Sequence, residues 1–267
     1  MRVLVTVKTY PQPSVSYDEL VCTAGFTEEG RWVRIYPVMR RHLDFVKYEW
    51  VELDLIRRHD RDFRPESYSP VEVDLNDLKK GPKVGTKQGW YQRKQLCLQN
   101  VYTSMDSLIE DSKEPKNVSL AVFKPARVKS FLNEPDDDEW KPEWLERMNQ
   151  EDMFSPTKAG GRRAPIEKIP HRFKYRFEDD SGRESTMSIL DWEIFELYRK
   201  CLAAAEGDED VALEKVRQKY EAQFLNTKDL WLFLGTTLEH HQKRHSNPFT
   251  IVGVFYPPKR SDQAELL

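Results

Sequence analysis

Cysteine is scarce: Cys22, Cys97 and Cys201 are the three in 267 residues, and no two stand at Cys-x-x-Cys spacing. That usage excludes a disulfide framework and a cysteine-rich zinc site, and it suits a reducing compartment. Long apolar runs are missing as well. No stretch approaches the ~20 residues that a membrane-spanning helix needs. The opening MRVLVTVKTYPQP has too short an apolar run for a signal peptide and no small-residue cleavage site. The expectation is a cytoplasmic protein with no membrane partner. Excess positive charge is also lacking, since 42 Lys and Arg face 45 Asp and Glu for a net charge of -3. A protein that coats duplexes nonspecifically is usually basic, because phosphate neutralisation supplies its affinity. Any nucleic-acid site here has to be a local patch. GxGxxG, Walker, GxSxG and HExxH patterns are absent, so no cofactor is expected and no catalytic residue is assigned.

What is present is enough apolar residue for a core, 39% against 33% charged. Period-2 patterns and turn signals make the first ~80 residues β-rich. ELVCTAGF and GRWVRIYPV read as a hairpin around TEEG. In YEWVELDLIRR, Val51, Leu53 and Leu55 point inward and Trp50, Glu52 and Asp54 outward. The stretch 134–152 is strongly acidic and expected at the surface, while 158–177 swings back to basic. SILDWEIFELYRKCLAAA is a helix by the spacing of Leu190, Ile194, Leu197, Tyr198 and Cys201. DEDVALEKVRQKYEAQFL is a second, with Leu213, Val216, Tyr220 and Phe224 on one stripe. DLWLFLGTT and PFTIVGVFYPP close the chain as two strands around a His-rich loop.

The landmarks VTVKTYP, VCTAGF-x3-GRWVRIYPV, RPESY, SLAVFKP, DWE, DLWLFLGT and FTIVGVFYPPK resemble a family of uncharacterised bacterial proteins along nearly the whole chain. The part up to about residue 180 also resembles prokaryotic dual OB-fold proteins, in which a Gly-x-Trp-x-Arg strand follows a cysteine-containing one. The resemblance implies an α+β protein with two small OB-like β-barrels and a C-terminal two-helix and β-hairpin region. Its parts would be an OB-like domain over 1–78, a second β domain with basic and acidic insertions over 79–187, and an αβ region over 188–267. It also implies a mobile-element or defence setting.

Two segments are candidates for nucleic-acid contact. In GRWVRIYPV, strand alternation puts Trp32, Arg34 and Tyr36 in one row, opposite Val33 and Ile35. Bases stack on such aromatics for about 1–3 kcal/mol each, and a guanidinium can track phosphate. The alternative is that the row is a second buried face, with Arg34 paired to an acid. The segment 79–94, KKGPKVGTKQGWYQRK, carries Lys79, Lys80, Lys83, Lys87, Arg93 and Lys94 with no acid, and the pair Trp90 and Tyr91. It reads as a mobile basic loop.

Other clusters point less clearly to chemistry. Asp191 and Glu193 sit in a helix's first turn, where negative charge favours the dipole, so capping explains them. His240, His241 and His245 lack an acid or cysteine to complete a metal set and read as an exposed loop cluster. Pro135-Asp136 and Glu139-x-Lys141 echo a nuclease motif, but its acids must stand on neighbouring core strands to hold magnesium. No metal is therefore expected. The expected function is binding of single-stranded or structured nucleic acid. A metal-dependent enzyme acting on nucleic acid, through Asp191, Glu193 or the His loop, is one alternative. A module that assembles with a partner protein through the aromatic row is another.

Overall fold

Alternation in RVLVTVK sends Val3 and Val5 to one side and Leu4 to the other, and every residue from Val3 to Val7 is buried. Such a strand needs neighbours at both edges and layers on both faces. In the computed structural model, β1 (Arg2–Lys8) pairs antiparallel with β4 (Thr23–Phe26) and β6 (Glu49–Glu52). The structure describes residues 1–14, 18–58, 62–140, 142, 166–243 and 245–259. Strands β5 (Trp32–Ile35), β7 (Leu55–Arg57), β8 (Ser67–Pro70) and β9 (Lys79–Lys83) complete a seven-stranded sheet in the order β7-β8-β5-β4-β1-β6-β9. β2 (Gln12–Ser14) and β3 (Asp18–Leu20) form a small separate hairpin. The hairpin expected around TEEG is β4 with β5, Phe26 opposite Trp32.

One face of this sheet, with Val3, Val5, Val33, Ile35, Val51 and Leu53, is covered by loop residues Val38, Phe45 and Leu75. The other face, with Leu4, Ala24, Phe26 and Trp50, packs on a second sheet. Val51 and Leu53 are thus inward as expected. Trp50, expected outward, is buried too, because the sheet is covered on both sides. The second sheet runs β10 (Val101–Tyr102), β11 (Leu120–Phe123), β15 (Trp231–Thr236), β16 (Phe249–Phe255). Leu120, Val122, Phe233, Val252 and Phe255 face the first sheet.

Its opposite face, with Ala121, Phe123, Leu232, Leu234 and Ile251, joins a third layer. That layer contains the sheet β12 (Arg127–Pro135), β13 (His171–Glu178), β14 (Glu184–Ser188). Its helices are α2 (Met105–Asp111), α3 (Trp192–Ala204), α4 (Glu209–Arg217) and α5 (Phe224–Thr227). A wide π turn, Gln218–Gln223, joins α4 to α5, and the Tyr220 carbonyl in it accepts a hydrogen bond from the Tyr175 hydroxyl at 2.6 Å. Two further helices, α1 (Lys87–Cys97) and α6 (Leu238–Gln242), flank these layers.

The architecture is α+β. Residues 79–187, expected as a second β domain with basic and acidic insertions, send β9 to the first sheet, β10 and β11 to the second, and β12 with β13 to the third. Among the described residues no sheet closes into a barrel, and β7 and β9 are the free edges of the first. Most of the acidic stretch 134–152, and residues 158–165 of the basic stretch 158–177, lie outside the described residues. No helix among the described residues is long and apolar enough to cross a membrane.

Candidate nucleic-acid interface

The alternation predicted for GRWVRIYPV is present, but both of its faces are covered. Trp32 is half-buried against Phe26, ring centroids 3.9 Å apart, and edge-on to Phe233 at 5.5 Å. Arg34 is only 4% exposed. It donates through Nη1 to the Thr236 carbonyl at 3.1 Å, and through Nη2 to the Ser119 carbonyl and Oγ at 3.0 and 3.1 Å. Tyr36 is half-buried, with the Arg58 guanidinium 4.9 Å from its ring centroid. Arg34 is therefore a buried strut between the first and second sheets, and it is not available to track phosphate. Burial pushes its pKa down from the ordinary arginine value, yet it is held by carbonyl acceptors.

Around Arg34 lies a charged junction that sequence reasoning missed. Arg64 grips Asp62 with two bonds, at 2.8 and 2.6 Å, and donates to the same Thr236 carbonyl at 2.9 Å. Glu66 accepts from the Ser119 amide and hydroxyl at 3.2 and 2.8 Å. His241 is buried here rather than exposed in a loop. Its Nε2 donates to the Ser112 carbonyl at 2.6 Å, which leaves Nδ1 to accept from the Thr236 hydroxyl at 3.1 Å. Thr236 and His241 close the sequence segment that begins DLWLFLGT, and Arg64 and Glu66 belong to RPESY. Only the fold brings these motifs together.

Asp191 and Glu193 are a second instance of hidden wiring. Asp191 caps α3, accepting from the Glu193 amide at 3.2 Å, as its first-turn position predicts. It is also wholly buried and accepts from the Val254 amide at 3.0 Å. Both carboxylates converge on the ammonium of Lys47, at 2.9 and 3.3 Å. Burial disfavours the Lys47 charge, but Asp191 and Glu193 outweigh it and hold the ammonium well above its ordinary value. Helical spacing alone separates these two side chains; a lysine from another layer reunites them. Among the described residues no group of three His, Cys, Asp or Glu is placed to hold a metal ion.

The segment 79–94 is ordered structure rather than a loop. β9 is an edge strand paired with β6, Val51 opposite Lys80, so its lysines stand at the sheet's rim. Lys79, Lys80, Lys83 and Lys87 are exposed. Lys80 pairs with Asp44 at 2.5 Å, while Lys79, Lys83, Lys87 and Lys94 form no ion pair among the described residues. An edge decorated with lysine is also a common way to block strand-to-strand association.

The chain then makes a left-handed turn, with φ of 51°, 63° and 67° at Gln88, Gly89 and Trp90, before α1 continues right-handed. For non-glycine residues this costs about 1–2 kcal/mol each. Packing offsets the cost. The Trp90 ring meets Phe255 and Tyr256 at 5.3 and 5.1 Å, and the Arg93 guanidinium lies 3.7 Å from the Tyr48 centroid and 4.7 Å from that of Trp90. Trp90 and Arg93 thus anchor α1, whereas Tyr91 is 56% exposed beside them.

Past α1 the surface opens into a pocket of about 510 Å3 lined by Lys94, Asp229, Trp231, Pro258 and Lys259. Lys124 lies 4.8 Å from the Trp231 centroid and pairs with Asp229. The Trp231 Nε1 donates to Asp229 at 3.1 Å, which fixes the ring. Trp231, Lys124 and Lys259 were not singled out in the sequence. The DLW and PPK stretches that carry two of them lie far from 79–94 in the chain, and nothing local links them. The pocket sets Lys94 and Lys259, with Lys124 at the ring, around a fixed indole.

Residues 101–267 match the family model described as Domain of unknown function (DUF8757), and residues 1–99 match the one described as Domain of unknown function (DUF8758). No curated protein matches the chain. The boundary between the two matches falls between α1 and β10. The core on either side of it is nonetheless continuous, since Leu4 and Phe26 from the first match pack with Phe233 and Phe255 from the second.

Proposed function

From the premise that the chain belongs to the family described as Domain of unknown function (DUF8757), we propose that it binds single-stranded or structured nucleic acid. The binding surface would be the face built by β9, α1 and the Trp231 pocket. The observation that carries this reading is the pocket, where Lys94 and Lys259 flank an indole held by Asp229. Backbone phosphates would meet Lys79, Lys83, Lys87, Lys94 and Lys259, and a base would stack on Trp231 or Tyr91. A net charge of -3 suits this arrangement, because the positive charge is local.

The OB-like reading of the two β regions belongs to the same proposal. Register shifts place an extra residue in β1 opposite β4 and in β9 opposite β6, the kind of irregularity that bends a sheet and would suit a small barrel. The mobile-element or defence setting is part of it too. Titration of a labelled single-stranded oligonucleotide at 50 and 200 mM salt tests the reading. Saturable binding that weakens steeply with salt supports it, and no binding at the lower salt overturns it.

A second reading, assembly with a partner protein, draws on other residues than the aromatic row. Ile56, Val71 and Val73 are exposed on and next to the edge strand β7. A salt-resistant complex recovered in a pull-down, lost on Ile56→Asp, favours that reading.

A further inference from the structure

Backbone pairing outside β15 and β16 braces the Trp231 pocket. The Asp229 amide donates to the Pro257 carbonyl at 2.9 Å, and the Lys259 amide to the Thr227 carbonyl at 3.1 Å. Both oxygens of the Asp229 carboxylate are engaged, one by Lys124 and the other by the Trp231 Nε1. Its negative charge is thus spent on Lys124, which is not part of the pocket lining. Lys94 and Lys259 line the pocket, and neither forms an ion pair among the described residues. Lys259 donates to the Leu225 carbonyl at 2.9 Å, and its ammonium keeps further donors. Lys124 also lies over the Trp231 ring, 4.8 Å from its centroid, so at most one face of the indole is left for a base.

These features limit the occupant. A strand that runs through a groove is held by successive rings, a base on each. Here Trp231 is the one aromatic residue in the lining, and a volume of about 510 Å3 is that of a small-ligand pocket. The site holds a single nucleotide. The charge left at Lys94 and Lys259 says which kind. An internal phosphodiester carries one negative charge, whereas a phosphate monoester carries about -1.5 to -2 at pH 7 and presents three strong acceptor oxygens.

We propose that this pocket takes a nucleotide whose phosphate is a terminal monoester, with the base on Trp231 and the phosphate on Lys94 and Lys259. The proposal rests on the nucleic-acid reading of this face and narrows it, from a strand's length to its end. The same chemistry is offered by a 5′-phosphorylated end, a 3′-phosphorylated end or a free mononucleotide.

Fluorescence anisotropy on the full chain separates these sources. The probes are an internally labelled oligothymidylate with a 5′-phosphate, the same strand with a 3′-phosphate, and the same strand with neither, with thymidine monophosphate and thymidine as competitors. One phosphorylated strand should bind at least tenfold tighter than its unphosphorylated twin, and which of them does so assigns the end. Thymidine monophosphate that competes as well as the phosphorylated strand assigns the free nucleotide, and thymidine should compete at least tenfold less well than its monophosphate. Lys94→Gln with Lys259→Gln should reduce the phosphate advantage to less than threefold at an unchanged melting temperature. Lys83→Gln with Lys87→Gln should weaken all strands alike and keep the advantage.

Equal affinity for all three strands, with no competition by the monophosphate, overturns the proposal and leaves the nucleic-acid reading intact. An advantage lost in the Lys83 and Lys87 variant, and kept in the Lys94 and Lys259 variant, overturns it too. Absence of binding by every strand and by the monophosphate removes both readings. The comparison of strands on the wild-type chain decides the question even if a variant does not fold.

Discussion

Two regions of this molecule hold the same kinds of residue and use them in opposite ways. In the junction between the first two sheets, Arg34 and Arg64 are buried and donate to the same carbonyl, that of Thr236. On the β9 and α1 face, Lys83 and Lys87 stand in solvent, and Lys94 borders a pocket with Trp231. Cations that find carbonyls and carboxylates inside the chain fasten it together. Those that find none stay at the surface. Type and spacing of residues do not separate these cases, and burial does.

The comparison can be broken most forcefully at the junction. Arg34→Ala removes a buried cation that satisfies the Ser119 and Thr236 carbonyls. It should cost about 3 kcal/mol or more, seen as a large fall in the denaturant midpoint. The fraction that stays folded should bind oligonucleotide as before. A stable Arg34→Ala variant that has lost binding would return Arg34 to the interface.

On the open face the expectation reverses. Tyr91→Ala, at a 56% exposed position, should leave stability within about 0.5 kcal/mol. Together with Trp231→Ala it should weaken single-strand binding by about 1–3 kcal/mol for each stacked base lost. Isothermal titration against melting curves separates the two effects. Replacing Lys83, Lys87 and Lys94 by Gln sharpens the contrast further. It should flatten the slope of log affinity against log salt by about 2, three phosphate contacts at ~0.7 each for a single strand.

The smallest effect concerns His241. Burial, opposed by the Ser112 carbonyl and aided by Arg64, keeps its folded pKa below the ordinary histidine value. The unfolded chain then binds the proton more readily, so stability present above pH ~6.5 is lost as pH falls below it. Melting temperature measured from pH 7 to 5 should decline more steeply in the wild type than in His241→Gln. Equal slopes would remove His241 from the junction's electrostatics.

The sequence carried the local part of this picture. Val3 and Val5, or Val51 and Leu53, alternate as their strands do, and Asp191 announces the start of α3 from its place before DWE's helix. The helix stripe Val216, Tyr220 and Phe224 is buried as its spacing suggests, even across a π turn. What was not legible depends on layers meeting. Alternation in GRWVRIYPV says which residues share a face, but not that Ser119 and Thr236 would arrive to cover Arg34. Likewise, Trp50 reads as outward until a second sheet is laid on it. The candidate face was half legible. Lys79 to Lys94 stand out by composition, whereas Trp231, Lys124 and Lys259 join them only through the pairing of β15 with β11 and β16.

The most direct test of the account is photo-crosslinking of a single-stranded oligonucleotide carrying 5-iodouracil, with the crosslinked residues identified by mass spectrometry. The account predicts crosslinks at Trp231 and Tyr91, lost in proportion as salt is raised. Crosslinks concentrated at Trp32 and Tyr36, or saturable binding with no crosslink on the β9, α1 and Trp231 face, would contradict it.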